Sequence, residues 1–180
     1  RALGPGRVGY VTALGTDRQS DRILMALRAE DLDTTHVSRI PGLMPGLYLI
    51  DTDDAGERSF SYWRSTSAAR RMFAPESGLT PAFLDGVDTL YLSGISIAIL
   101  DPKSRDSLAE ALVRFRARGG RVAFDSNYRP VLWPDVATAR TEMLRFIGLT
   151  DIAFPSQDDE AALFGGAEVQ AILDRYAAAG

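Results

Sequence analysis

The chain contains no cysteine, one histidine and one lysine in 180 residues. Without cysteine there is no disulfide, no thiolate nucleophile and no cysteine-ligated zinc. His36 is the only histidine, so a Ser-His-Asp triad or a multi-histidine metal site would have to use it. Neither a nucleophile elbow nor a ligand motif lies near it, and it reads as a surface residue beside a short strand. The single lysine among 20 basic residues is a composition bias that carries no chemistry. A Walker A loop is absent, because Lys103 follows Pro102 with no glycine-rich run before it. The most apolar stretch, Leu90 to Leu100, is about half the length that spans a bilayer. No secretory leader is legible, so the protein is expected to be soluble and cytoplasmic. The net charge of −4 offers no footprint for nucleic acid or a membrane surface.

What is present is one domain's worth of chain with enough apolar content for a core. Val8 to Leu14 is a strand candidate, followed by a helix over Gln19 to Ala29 with Asp17 or Ser20 as cap. Leu32 to Val37 is a brief strand, Ser65 to Gly78 a connector, and Thr80-Pro81 opens a short helix through Leu84. From Thr89 onward apolar strands alternate with helices. The strands are Thr89 to Leu92, Arg121 to Asp125 and Asp151 to Phe154; the helices are Pro102 to Arg118, Asp135 to Ile147, Gln157 to Phe164 and Glu168 to Ala178. Apolar strands alternating with helices predict an α/β fold with a mostly parallel sheet and helices on both faces.

One stretch departs from that scheme. Pro45 to Arg64, PGLYLIDTDDAGERSFSYWR, has a period of two on either side of Asp54-Ala55-Gly56, which predicts a β-hairpin with Gly56 at positive φ. The three-residue loop pairs Asp53 with Glu57, Ile50 with Phe60 and Tyr48 with Tyr62, and places Tyr48, Tyr62 and Arg64 on one face. Two readings stand for this face: a grip on a polar ligand, or an edge hairpin whose aromatics pack on the body. The expected organisation is a body of residues 1–40 and 65–180 carrying a small β lid at 41–64.

In open parallel sheets ligands bind beyond the carboxyl ends of the strands. Three such ends carry polar residues: Ser93-Gly94, Asp125 to Arg129 and Ser156 to Glu160. Asn127 and Arg129 can donate to phosphate or carboxylate oxygens, Arg129 through a rigid fork; equally, they can complete a surface turn. The acids Asp158, Asp159 and Glu160 favour a helix N-terminus by their charge alone, or one of them holds a nucleotide's magnesium through water. Gly4-Pro5-Gly6-Arg7-Val8-Gly9 matches a dinucleotide fingerprint in letters, but a strand follows it where a helix is needed, so it reads as a loop.

The hairpin, the strand end YLSGISIAIL, the turn FDSNYRPVLW and the helix start DIAFPSQDDEAALFG occur in the order and spacing of the PfkB (ribokinase-like) sugar kinases. The YWR element together with NYRP resembles the ketodeoxy-acid branch of that family. The resemblance implies a ribokinase-like fold and transfer of phosphate from ATP, with Mg²⁺, to the terminal hydroxyl of 2-keto-3-deoxygluconate. It places Tyr48, Tyr62, Trp63 and Arg64 with Arg129 on the sugar acid. Asn127, Tyr128, Arg129 and Ser156 fall on the nucleotide, and Asp159 falls on the metal through water. Ser156 and Asp159 stand where the wider family has Asn-x-x-Glu. The resemblance also implies a homo-oligomer formed through the lid. It further implies a glycine-rich strand with a sugar-binding asparagine before residue 1, and a Gly-Ala-Gly-Asp helix start with the aspartate base after residue 180. Gly165-Gly166-Ala167-Glu168 is no substitute for that segment, so the catalytic base is not expected within these residues. The competing readings are a fructose or 5-keto-2-deoxygluconate kinase, and a non-catalytic binding or assembly module.

Overall fold

The computed structural model describes residues 6–166 and 168–179; Gly4, Pro5 and Ala167 of the two glycine motifs lie outside them. The chain divides at Phe83–Leu84 into two compact units.

In the first unit a short strand, β1 (Thr12–Leu14), leads into helix α1 (Arg18–Ala29). Asp17 settles the choice of cap: its carboxylate accepts the N–H groups of Gln19 and Ser20, satisfying donors that an open helix end leaves orphaned. β1 pairs in parallel with β2 (Val37–Arg39). Val8–Leu14 was expected as strand throughout, but before Thr12 only a lone bridge from Gly9 to Asp33 forms. The hairpin follows as β3 (Leu47–Thr52) and β4 (Arg58–Trp63). The connector after it holds two 3-10 turns, Ala68–Arg71 and Pro75–Ser77, and the expected short helix at Pro81–Leu84 is a third.

The second unit is built on a three-stranded parallel sheet in the order β5 (Thr89–Ser93), β6 (Arg121–Asp125), β7 (Ile152–Phe154). A five-residue helix, α2 (Gly94–Ala98), starts directly from β5. α3 (Pro102–Ala117) is capped by Asp101 and buries Leu108, Leu112 and Phe115, the stripe that its spacing predicts. α4 (Val136–Ile147) is capped by Asp135, and α5 (Gln157–Phe164) and α6 (Val169–Ala179) complete the unit. Leu92, Val122 and Phe124 form the buried side of the sheet, with Phe124 fully enclosed. On the other side Tyr91, Ile152 and Phe154 are exposed. The parallel strands therefore fall into two sheets, β1-β2 and β5-β6-β7, with the antiparallel hairpin as a third.

Three carboxylates at element ends are held below the ordinary aspartate value of 3.8. For Asp17 the hydroxyl and N–H of Ser20 are the main cause, and for Asp135 the N–H of Thr138 and then its hydroxyl. At Asp151 burial pulls the other way, but the Val122 N–H and the Arg116 guanidinium outweigh it. The folded form thus binds fewer protons than the unfolded chain near these values. Their stabilisation is complete above about pH 4 and is lost as pH falls through the lowered folded values. Thermal unfolding followed from pH 6 to pH 2.5 is expected to drop below about pH 4, and Asp151→Asn to flatten that drop. An unchanged acid slope in the variant would contradict the assignment.

Candidate functional site

In the hairpin, loop length fixes register. The Asp53 N–H donates to the Glu57 carbonyl at 3.0 Å, and the Gly56 N–H to the Asp53 carbonyl at 3.0 Å. Gly56 has φ +83°, a value open to glycine because it lacks a Cβ. The Asp53 carboxylate braces the turn by accepting the N–H groups of Ala55 and Glu57. The resulting register pairs Tyr48 with Tyr62 and Ile50 with Phe60, as the sequence predicts. Tyr48 and Tyr62 have ring centroids 6.2 Å apart, and Phe60 stacks with Tyr62 at 6.1 Å. The Arg64 guanidinium lies over the Tyr62 ring, 4.1 Å from its centre, so two phenols and a cation share one surface. Trp63 is not on it. Paired with Leu47, Trp63 faces the opposite side together with Leu49, because alternate residues of a strand point to opposite faces. Large side chains on both sides of the hairpin are about half exposed.

In the second unit the three strand ends meet at one rim. Ser93, Asp125 and Phe154 are in register across the sheet, and the loop after β6 lies against the start of α2. A Cβ at Gly94 would collide with the Ser126 carbonyl oxygen and press on Met143 Sδ at 3.1 Å. Gly94→Ala is therefore expected to displace this loop and to cost about 1–3 kcal/mol, measured by denaturant unfolding; an unchanged midpoint would show that the loop yields freely.

The loop itself is tightly specified. Asn127 adopts φ +28°, an uncommon conformation outside glycine that clusters at functional sites. The Asp125 carboxylate accepts the Asn127 N–H at 3.1 Å and the Tyr91 hydroxyl at 2.8 Å. Burial, and then this bond, push the Tyr91 phenol above its usual pKa. The Tyr128 ring is buried, while its carbonyl accepts Arg129 Nη1 at 2.7 Å. Arg129 Nη1 also reaches Asp159 Oδ1 at 3.3 Å.

Ser126, which sequence reasoning did not single out, ties the rim together. It is 1% exposed; its hydroxyl accepts the Ser156 N–H at 3.0 Å and donates to Asp159 Oδ2 at 3.3 Å. Ser126, Arg129, Ser156 and Asp159 thus form one constellation at the rim. A neighbouring acid of the α5 start goes elsewhere. Glu160 turns inward, 1% exposed, and takes Arg175 Nη1 and the Tyr176 hydroxyl, the latter at 2.8 Å. Burial, followed by this carboxylate, holds the Tyr176 hydroxyl far above the ordinary phenol range, so it stays a donor at neutral pH. Glu160 is a structural tie between α5 and α6, and Asp159 is the acid facing the rim.

Among the described residues no group of three or more His, Cys, Asp or Glu gathers in a way that could hold a metal by protein ligands alone. A single carboxylate such as Asp159 is compatible with Mg²⁺ all the same, because that ion keeps several waters and takes further ligands from substrate phosphates. Among the described residues no helix is long and apolar enough to cross a membrane.

An α/β unit whose strand ends gather an arginine, an asparagine and an acid presents polar groups at the sheet's carboxyl rim, the edge where open α/β sheets take their ligands. Comparison with known proteins makes this specific. The model of the pfkB family of carbohydrate kinases matches residues 2–180, and the chain belongs to that family. It is 46% identical over 176 residues to a 2-dehydro-3-deoxygluconokinase of Escherichia coli K12, covering 96% of this chain and 56% of the relative. It is 43% identical over 174 residues to the enzyme of that name from Dickeya dadantii, again covering 96% and 56%. The chain thus spans about half the length of these curated relatives. Among solved structures, a PfkB protein from Polaromonas sp. JS666 superposes with a TM-score of 0.86 at 25% identity, covering 97% of this chain and 58% of that one. The ribokinase-like α/β fold expected from the sequence is the fold observed.

Proposed function

We propose that the chain is part of an ATP-dependent kinase that phosphorylates the terminal hydroxyl of 2-keto-3-deoxygluconate to give 2-keto-3-deoxy-6-phosphogluconate. The observation that carries this reading is the hairpin surface of Tyr48, Tyr62 and Arg64, in the register that aligns all three. A guanidinium stacked on a phenol, beside a second phenol, offers a charge for a carboxylate and hydroxyls for a sugar chain. The similarity to relatives named 2-dehydro-3-deoxygluconokinase points the same way. A neutral hexose such as fructose gives no reason for a cation there.

On this reading residues 41–64 act as a lid whose Arg64 binds the acid end of the sugar. Asn127, the Tyr128–Arg129 segment and Ser156 serve the nucleotide phosphates, and Asp159 holds Mg²⁺ through water. When bound, the metal neutralises charge on the transferring phosphoryl group. The work of this chain's own residues is positioning. The Ser126 hydroxyl fixes the direction of Asp159 and the start of α5, Asp125 fixes Asn127, and the Tyr48 and Tyr62 hydroxyls orient the sugar. No catalytic base is assigned among these residues. The reaction uses ATP inside the cell, which agrees with a cytoplasmic enzyme.

The opposite hairpin face carries Leu47, Leu49 and Trp63, each about half exposed, together with Asp51, Ser59 and Ser61. It supports pairing with a second copy through the lid. Leu49→Asp is expected to shift the protein to monomer in sedimentation equilibrium; an unchanged mass would remove this face from the assembly. The substrate assignment is tested by phosphorylation assays over 2-keto-3-deoxygluconate, 5-keto-2-deoxygluconate and fructose. In the whole kinase 2-keto-3-deoxygluconate is expected to be preferred at least tenfold in kcat/KM over the other two. A preference for fructose or for 5-keto-2-deoxygluconate would overturn the assignment, and binding of the sugar acid by the whole protein without turnover would favour a binding module.

A further inference from the structure

Among the described residues, three buried side-chain polar atoms have no hydrogen-bond partner: Arg105 Nε, Trp133 Nε1 and Glu142 Oε2. All three belong to one cluster. Arg105 lies on α3 and Glu142 on α4, with Nε 3.9 Å from Oε2. The Arg105 guanidinium carbon lies 5.5 Å from the centre of the Trp133 indole, and its Nη1 donates to the Leu100 carbonyl at 3.0 Å. Arg145 approaches the same Glu142 oxygen at 3.6 Å. Stability is a weak reason for such a cluster, since a buried ion pair roughly breaks even against apolar residues of equal volume. Native proteins leave few buried polar groups unpaired, and each calls for a cause.

Position supplies that cause. Trp133 ends the turn that begins at Arg129: the Leu132 N–H donates to the Arg129 carbonyl at 3.0 Å and the Trp133 N–H to the Pro130 carbonyl at 3.1 Å. Residues 129–133 therefore move as one piece, and where the indole sits decides where the Arg129 backbone sits. The other end of the loop is held by the close approach of Gly94 to the Ser126 carbonyl. Arg105 stacks on the indole at one end of this loop and also bonds the Leu100 carbonyl, just past the end of α2, the helix that starts at Gly94.

We propose that Arg105, Trp133 and Glu142 are positioning residues for the Ser126–Arg129 loop. Arg105 clamps the loop by stacking on Trp133, and Glu142 holds the guanidinium in place. The consequence for ligand binding rests on the reading of Arg129 given above; the mechanical claim does not.

The test uses the full chain and the variants Arg105→Met, which keeps the aliphatic stem, and Glu142→Gln, which keeps the shape. Backbone hydrogen exchange without ligand is expected to accelerate about tenfold or more at residues 127–132. The amides in the middle of α4 should stay within about twofold of the parent. Acceleration spread evenly over the unit, or none at the loop, would overturn the proposal, because a merely structural cluster loosens everything it touches. If Arg105→Met does not fold, Glu142→Gln carries the same test alone. Calorimetric titration with ATP and with 2-keto-3-deoxygluconate then addresses the consequence. Whichever ligand Arg129→Ala weakens should be weakened about three- to tenfold by Glu142→Gln, with no further loss in the double variant. Full additivity would break the link to Arg129. If Arg129→Ala changes neither affinity, the ligand reading of Arg129 falls, and hydrogen exchange still decides the positioning claim.

Discussion

Arg64→Ala is expected to raise the KM for 2-keto-3-deoxygluconate by about ten- to a hundredfold while changing that for ATP far less. The magnitude follows from what is removed. A hydrogen bond to a charged group contributes about 1.5–3 kcal/mol net, and each decade of affinity is about 1.4 kcal/mol. The guanidinium is already oriented before ligand arrives, stacked 4.1 Å from the Tyr62 ring centre, so little of its attraction is lost to ordering. Arg64→Lys keeps the charge but not the planar fork or the stacking, and should fall between the parent and the alanine variant. Steady-state kinetics with each substrate varied in turn separates the two terms. Equal losses for sugar acid and ATP would remove Arg64 from the sugar site.

Glu160→Ala should have the largest effect on stability. Its carboxylate is 1% exposed and serves both Arg175 and Tyr176, while Arg175 also lies 4.2 Å above the Phe164 ring centre. Removing one member of a buried pair costs about 3–5 kcal/mol because the other is left unpaired. In a chain of this size that corresponds to a fall in Tm of roughly 10 °C. Glu160→Gln retains an acceptor for Tyr176 and should lose less, about 1.5–3 kcal/mol. Urea unfolding of both variants measures this; a loss below about 1 kcal/mol for Glu160→Ala would mean that α6 is held by its apolar face alone.

The hairpin was the most legible part of the sequence. A three-residue loop with glycine last fixes its register, so the Tyr48–Tyr62 pairing needed no tertiary information. The same alternation rule also shows that Trp63 cannot share their face, although the family resemblance groups it with them. The cap of α1 was narrowed to Asp17 or Ser20 because both stand at the start of its periodic run, whereas Asp135, expected as the first residue of its helix, proves to be the cap of α4. α2 was not readable: Gly94-Ile-Ser-Ile-Ala continues the apolar composition of β5, and the turn into a helix depends on the Ser93 N–H bonding Ser96 Oγ and on Gly94 fitting beneath the Ser126 carbonyl.

Ser126 escaped notice for a related reason. It lies between Asp125 and Asn127, residues with more obvious chemistry, and its value comes from partners some thirty positions away. Three consecutive acids at the start of α5 look alike in sequence, and only Arg175 and Tyr176 of α6 decide that Glu160 is the one drawn inward. The expectation of one parallel sheet missed the division into separate sheets. Hydrophobic alternation reports which residues are buried in strands but not which strands become neighbours.

The central claim is that the hairpin arginine, Arg64, recognises the acid end of a small sugar. The most direct measurement is calorimetric titration of the full chain with 2-keto-3-deoxygluconate and with its methyl ester, in the parent, Arg64→Lys and Arg64→Ala. The parent is expected to prefer the acid by at least tenfold, Arg64→Lys to keep part of that preference, and Arg64→Ala to bind acid and ester alike. A preference for the acid that survives in Arg64→Ala would contradict the account.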